Sequence, residues 1–291
     1  MKNNFQNSKE TISTGEINLL KGGNGQKLHF LHANGMCAGT YTPLLNMLSN
    51  DYEVTASDLR GHGDSSPVDL TTRFYWDSYS NDLTELLKIH YREPVLAIGH
   101  SMGGTISAFC AAQNHELFKG LVIIDPVIFS PFMTRVIQLI RLFKQQHRFP
   151  LVMQARRRKS HFITDKDVQS RFKVGRGMFK NWKEDYVKAY KLCALNYNKD
   201  ESADLKCNPE LEAQNFEYIP PQTWRLLKKI KCPVLILQGE HSDILNDKTA
   251  KKLSNLSKNI TVLKIHDAGH FIPMEKPEET IDVIKSFFNQ I

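Results

Sequence analysis

Short apolar runs alternate with amphipathic stretches along most of the chain. Residues 16–20 and 26–32 flank a Gly-rich segment at 21–25, a strand–turn–strand pattern. Further apolar runs at 52–57, 94–98, 120–126, 233–239 and 260–265 predict buried strands. Between them, residues 41–48, 78–89, 246–256 and 277–289 read as helices, the second with Leu83, Leu86 and Leu87 on one face. Strands that are apolar throughout and separated by helices predict a mostly parallel, doubly wound α/β sheet covered on both faces. Residues 1–12 read as loose.

The pattern changes in the middle. From Phe132, apolar residues fall at Val136, Leu139, Ile140 and Phe143, a helical period. Thr164 followed by Asp167 has the spacing of a capping box and opens a second helix. Trp182, Tyr186, Tyr190 and Cys193 mark a third. With no convincing strand between 130 and 232, this segment reads as an all-helical insertion after the sixth strand, into a core of residues 13–129 and 233–291. A chain of 291 residues is long enough to bury such a core.

The candidate chemistry centres on Gly99-His100-Ser101-Met102-Gly103-Gly104. An apolar strand precedes it and a helix of small residues follows, the context of a nucleophile elbow. Gly on either side lets the backbone turn sharply, and the helix start supplies free N–H groups for an oxyanion. A serine hydroxyl needs a base, and the base an orienting acid, expected at the carboxyl ends of later strands. Glu240-His241-Ser242-Asp243 follows one such strand and His266-Asp267-Ala268-Gly269-His270 the next. The order Ser, acid, His is the one associated with this elbow.

These motifs, with His32-Ala33-Asn34-Gly35, the turn from Asp58 to Gly63, and Pro273 after Gly269-His270, resemble the α/β-hydrolase superfamily from about residue 14 to 290. The resemblance implies a serine hydrolase with a helical cap. Ser101 matches the nucleophile, Asp243 the acid and His270 the base. Met102 and Met36 are the expected oxyanion donors, the latter by aligning Gly35 with the family's His-Gly, from which His-Ala-Asn-Gly departs, so that an amide one or two residues away stays open as the second donor. Asp243 falls four residues after Gly239 where three is commoner, so Glu240, Asp247 and, most strongly, Asp125 stay open as the acid. His32, His62, His100 and His266 are read as structural. No cofactor or metal is implied. A serine nucleophile argues against epoxide hydrolase and haloalkane dehalogenase chemistry, which need a carboxylate.

The expected activity is hydrolysis of a carboxylic ester, or related acyl bond, of a small molecule through an acyl-enzyme. A carbon–carbon hydrolase or acyltransferase with the same triad, and a binding protein that kept the pocket without turnover, remain as alternatives. Charge adds one feature. Residues 130–232 carry 22 Lys and Arg against 10 Asp and Glu, a balance of +12 in a chain of net +7. That segment is a candidate to steer anionic substrates or touch an anionic membrane surface, although Arg156-Arg157-Arg158-Lys159 reads first as a solvated face. No nucleic-acid-binding motif accompanies the charge. The five cysteines are scattered and odd in number, and the polar N-terminus shows no apolar leader core, so reduced thiols and a cytoplasmic location are expected. The cap aromatics Phe132, Phe143, Phe179, Trp182, Tyr186, Tyr190 and Trp224 are candidates for pocket lining or, for most of them, for the core between cap helices.

Overall fold

A computed structural model describes residues 5–73 and 75–291. Strands β1 (Gln6–Ile12), β2 (Gly15–Gly22), β3 (Gln26–Leu31), β4 (Tyr52–Ser57), β5 (Val95–His100) and β6 (Phe118–Ile124) fill the first half. They are interleaved with helices α1 (Thr42–Leu48), α2 (Trp76–His90) and α3 (Met102–Gln113). Residues 6–12, expected to be loose, form β1 because they pair with β2 along its whole length; residues 1–4 lie outside the described chain.

After β6 come helices α4 (Pro131–Leu142) and α5 (Pro150–Arg156), then strand β7 (His161–Phe162). Helices α6 (Asp165–Arg171) and α7 (Glu184–Cys193) precede strands β8 (Leu195–Tyr197) and β9 (Ala203–Leu205), and helices α8 (Pro209–Glu217) and α9 (Thr223–Leu227) complete the insertion. Thr164 caps α6, its hydroxyl accepting from the Asp167 amide. The insertion is therefore not all-helical. β7, β9 and β8 form a small antiparallel sheet. Runs of two or three residues are too short to show alternation in a sequence.

The core resumes with β10 (Val234–Gly239), α10 (Asp247–Ser254), β11 (Ile260–Ile265), α11 (Ile272–Glu275) and α12 (Pro277–Phe288). The main sheet runs β1-β2-β4-β3-β5-β6-β10-β11. Only the β1–β2 and β2–β4 pairings are antiparallel.

Alternation along each central strand divides its apolar residues between two cores. Phe30, Ile98, Ile124 and Leu237 face one helical layer, while Leu31, Ala97, Ile123 and Ile236 face the other. Burial on both faces explains why these strands look uniformly apolar in sequence. The parallel register brings the carboxyl ends of β3, β5, β6, β10 and β11 to one rim, from which the groups of the site project.

Candidate active site

Ser101 stands between the last residue of β5 and the first of α3, with φ 55° and ψ −119°. That backbone is unfavourable for a residue with a Cβ, and packing holds it there. A Cβ on Gly99 would lie 2.6 Å from the Gly103 carbonyl oxygen, and one on Gly103 would lie 2.3 Å from that of His32. Both glycines are thus required by close approach. The Ser101 amide donates to Ile124 O at 2.8 Å, which continues the β5–β6 ladder into the turn.

His270, on the loop between β11 and α11, brings Nε2 to 2.9 Å from Ser101 Oγ. Its Nδ1 lies 2.7 Å from Asp125 Oδ2. Asp125 directly follows β6, has φ 41°, and is fully buried. Its other oxygen accepts from the Gly239 amide at 3.0 Å, and Ser242 Oγ donates to Oδ2 at 2.5 Å. The Asp125 amide donates to Leu237 O at 2.7 Å, so main chain and side chain are both fastened to β10.

Asp243, the acid expected from sequence order, is exposed, and the carboxylate that meets His270 is Asp125 instead. The physical reason lies in the loop after β10. Ser242, one residue earlier, turns inward to Asp125 and accepts the Ile244 and Leu245 amides at 3.1 Å each, leaving Asp243 in solvent. Glu240 and Asp247 are engaged elsewhere, with the Asp267 amide and with Gln238 and Lys264 respectively. Ser242 was not singled out in the sequence, and no local signal there marks it.

The oxyanion donors divide. Met102 is the first residue of α3, where an amide has no helical acceptor four residues back. Met36 does not fit the role, because its amide donates to Ala33 O at 3.2 Å and closes a turn. The Ala33 amide is also used, by the Tyr41 hydroxyl at 3.2 Å. The Gly35 amide faces the Cys207 sulfur.

A second chain of hydrogen bonds fixes the surroundings. His100 Nε2 donates to the His270 carbonyl oxygen at 2.9 Å. With that nitrogen protonated and the ring neutral, Nδ1 accepts from the Tyr41 hydroxyl at 2.6 Å. Tyr41 thereby links the loop after β3 to the loop that carries His270. Burial, and then the adjacent His270, push the His100 pKa well below its ordinary value, which keeps the ring neutral. His32 donates from Nδ1 to Ala33 O and accepts the Leu59 amide at Nε2, with burial lowering its pKa to about 4. These imidazoles act on the backbone, as expected of them, while His266 is exposed and pairs with Glu240.

The insertion grips the same loop. Asn34 Nδ2 donates to Glu212 O at 3.0 Å, and its Oδ1 accepts from Asn215 Nδ2 at 2.8 Å. Arg158 pairs with Glu212 at 2.6 Å and with the Tyr190 hydroxyl, so near Gly35 that a Cβ there would lie 2.9 Å from Arg158 Nη1. Arg156 bridges Glu210 and Glu217. The basic run is therefore only partly a solvated face; two of its members bind the three glutamates of α8. Phe179, Trp182, Tyr186 and Tyr190 are buried and pack in the core between the insertion and the sheet, whereas Phe132 and Phe143 are exposed. The one grouping with metal-ligand reach among the described residues, Glu240, His241 and Asp267, is exposed.

A serine held in a strained turn after a central parallel strand, within contact of a histidine, defines an enzyme of the serine-hydrolase type. The comparisons agree. The model of the alpha/beta hydrolase fold family matches residues 28–277, and the chain belongs to that family. It is 24% identical over 277 residues to 2-(acetamidomethylene)succinate hydrolase of Mesorhizobium japonicum, covering 94% of this chain and 91% of that one. It is 26% identical to monoglyceride lipase of Rattus norvegicus over 87% of this chain and 78% of that one. Among solved structures, that of E-2-(acetamidomethylene)succinate hydrolase superposes with a TM-score of 0.82 at 22% identity, covering 98% of this chain and 99% of the other. No helix among the described residues is long and apolar enough to cross a membrane.

Proposed function

We propose that Ser101, His270 and Asp125 form a catalytic triad that hydrolyses a carboxylic ester, or a related acyl bond, of a small molecule. The observation that carries this reading is the unbroken chain from Ser101 Oγ to His270 Nε2 at 2.9 Å and from His270 Nδ1 to Asp125 Oδ2 at 2.7 Å. Since the Asp125 carboxylate only accepts, it holds the imidazole with Nδ1 protonated and Nε2 free to take the serine proton. Oγ then attacks the acyl carbonyl, the imidazolium returns its proton to the leaving group, and water completes the cycle with the same base.

The Met102 amide stabilises the developing oxyanion. Of the four amides from Ala33 to Met36, that of Asn34 alone has no acceptor among the described residues, and it serves as the second donor. Each such donor contributes about 3–4 kcal/mol to the transition state. Residues 130–232 act as a cap over the core formed by 13–129 and 233–291. A small anionic acyl substrate fits the +12 balance of the cap, and succinate, in the name of the Mesorhizobium relative, is itself a dicarboxylate. Five free cysteines support a reducing compartment, the cytoplasm.

A fluorophosphonate probe tests the core of the proposal. Wild type is expected to label once and to lose labelling in Ser101→Ala, with an acyl burst on p-nitrophenyl esters. Absence of labelling in folded wild type would leave a binding protein as the better description.

A further inference from the structure

The apolar stripe that predicts α4 faces the wrong way for a core helix. Phe132, Val136, Leu139 and Phe143 share one side, yet Phe132 is 73%, Leu139 56% and Phe143 66% exposed. Leu142 beside them is 75% exposed. The inward side holds Ile137, the only buried residue of the helix, and Arg141, whose Nε donates to Glu217 O at 2.8 Å. The helix thus divides its apolar residues: Ile137 is buried and Val136 and Ile140 half-buried, while Phe132, Leu139, Leu142 and Phe143 stand in water. Isolated exposed apolar residues are ordinary, whereas a contiguous stripe marks a contact surface.

Its electrostatic setting is one-sided. No acidic residue occurs between Asp125 and Asp165. The arginines nearest the site are neutralised by α8, but Arg135, Lys144, Arg148 and Arg157 are exposed, and none has an ion-pair partner among the described residues. An apolar ridge with an unneutralised basic collar complements a surface that is greasy within and negative at its rim.

We propose that α4 is a docking helix that lays the insertion onto a bilayer surface carrying anionic lipid headgroups. Phe132, Leu139, Leu142 and Phe143 enter the boundary between headgroups and acyl chains, while Arg135, Lys144 and Arg148 remain among the phosphates. This surface is independent of the hydrolase reading, and the experiment uses binding as its readout.

Full-length protein is floated with vesicles of phosphatidylcholine, or of phosphatidylcholine mixed with phosphatidylserine. Comparison variants are Leu139→Ser/Phe143→Ser and Arg135→Ser/Lys144→Ser/Arg148→Ser, with Ser101→Ala as a further sample. Light scattering reports mass, and thermal melts report folding. Wild type and Ser101→Ala are expected to float with the anionic vesicles, weakly with neutral ones, and less at high salt. Each surface variant should lose at least about tenfold in partitioning with an unchanged melt. Failure of wild type to float with anionic vesicles overturns the proposal, as does unchanged flotation in both surface variants. A wild-type dimer that Leu139→Ser/Phe143→Ser turns into a monomer also overturns it, because a second copy would then cover the stripe.

Discussion

Asp125→Asn separates the two candidate acids and can be worked through from the geometry. Asn is nearly isosteric, and with Gly and Asp it is one of the few residues that tolerate the positive φ found at this position, so the turn after β6 should survive. What changes is one oxygen. The carboxylate accepts three hydrogen bonds: from the Gly239 amide, the Ser242 hydroxyl and His270 Nδ1. An amide retains one oxygen, which the Gly239 N–H holds, and turns its NH2 toward Ser242 and His270. His270 must then accept at Nδ1, which places its proton on Nε2 facing Ser101, and the base can no longer take the serine proton. The corresponding change in serine proteases lowers kcat by about 10⁴, or about 5.5 kcal/mol of transition-state stabilisation. Asp243→Asn, in solvent, should keep kcat within about threefold. Steady-state hydrolysis of p-nitrophenyl acetate, with a thermal melt to confirm folding, measures both. A large loss in Asp243→Asn with near-normal activity in Asp125→Asn would refute the assignment.

Three further outcomes follow from the same contacts. Tyr41→Phe leaves His100 Nδ1 and the Ala33 amide unpaired in the interior; it should cost about 1–3 kcal/mol of stability and lower kcat roughly tenfold with little change in KM. Burial holds His29, His32 and His62 at pKa values of about 3, 4 and 3, so the folded state binds fewer protons than the unfolded one below pH 6.5. Their contribution is complete above pH 6.5 and falls as pH drops toward 4, by about 2 kcal/mol per imidazole at pH 5; a urea midpoint flat over that range would contradict it. The Cys37 and Cys193 sulfurs lie 2.9 Å apart, so a small-molecule disulfide should be attacked first by the half-buried Cys193, after which Cys37 displaces the small thiol and leaves one intramolecular bridge. Non-reducing peptide mapping would detect that bridge, and two separate adducts would count against it.

Some of this chain is determined locally and was legible for that reason. Strands buried on both faces have to be apolar throughout, and a turn as tight as that around Ser101 admits only Gly at 99 and 103. The serine, the histidine and the order of core elements therefore stand in the sequence itself. Tertiary structure decided what depends on neighbours distant along the chain. Asp125 and Asp243 both follow strands that end on the active rim, and Ser242 turning inward selects the first by carrying the second into water. The Met36 amide is spent on a turn that no spacing reveals. The periodicity of α4 was correct as a period and silent about direction: an amphipathic pattern fixes which residues share a face, while only packing, here through Ile137 and Arg141, fixes where that face points.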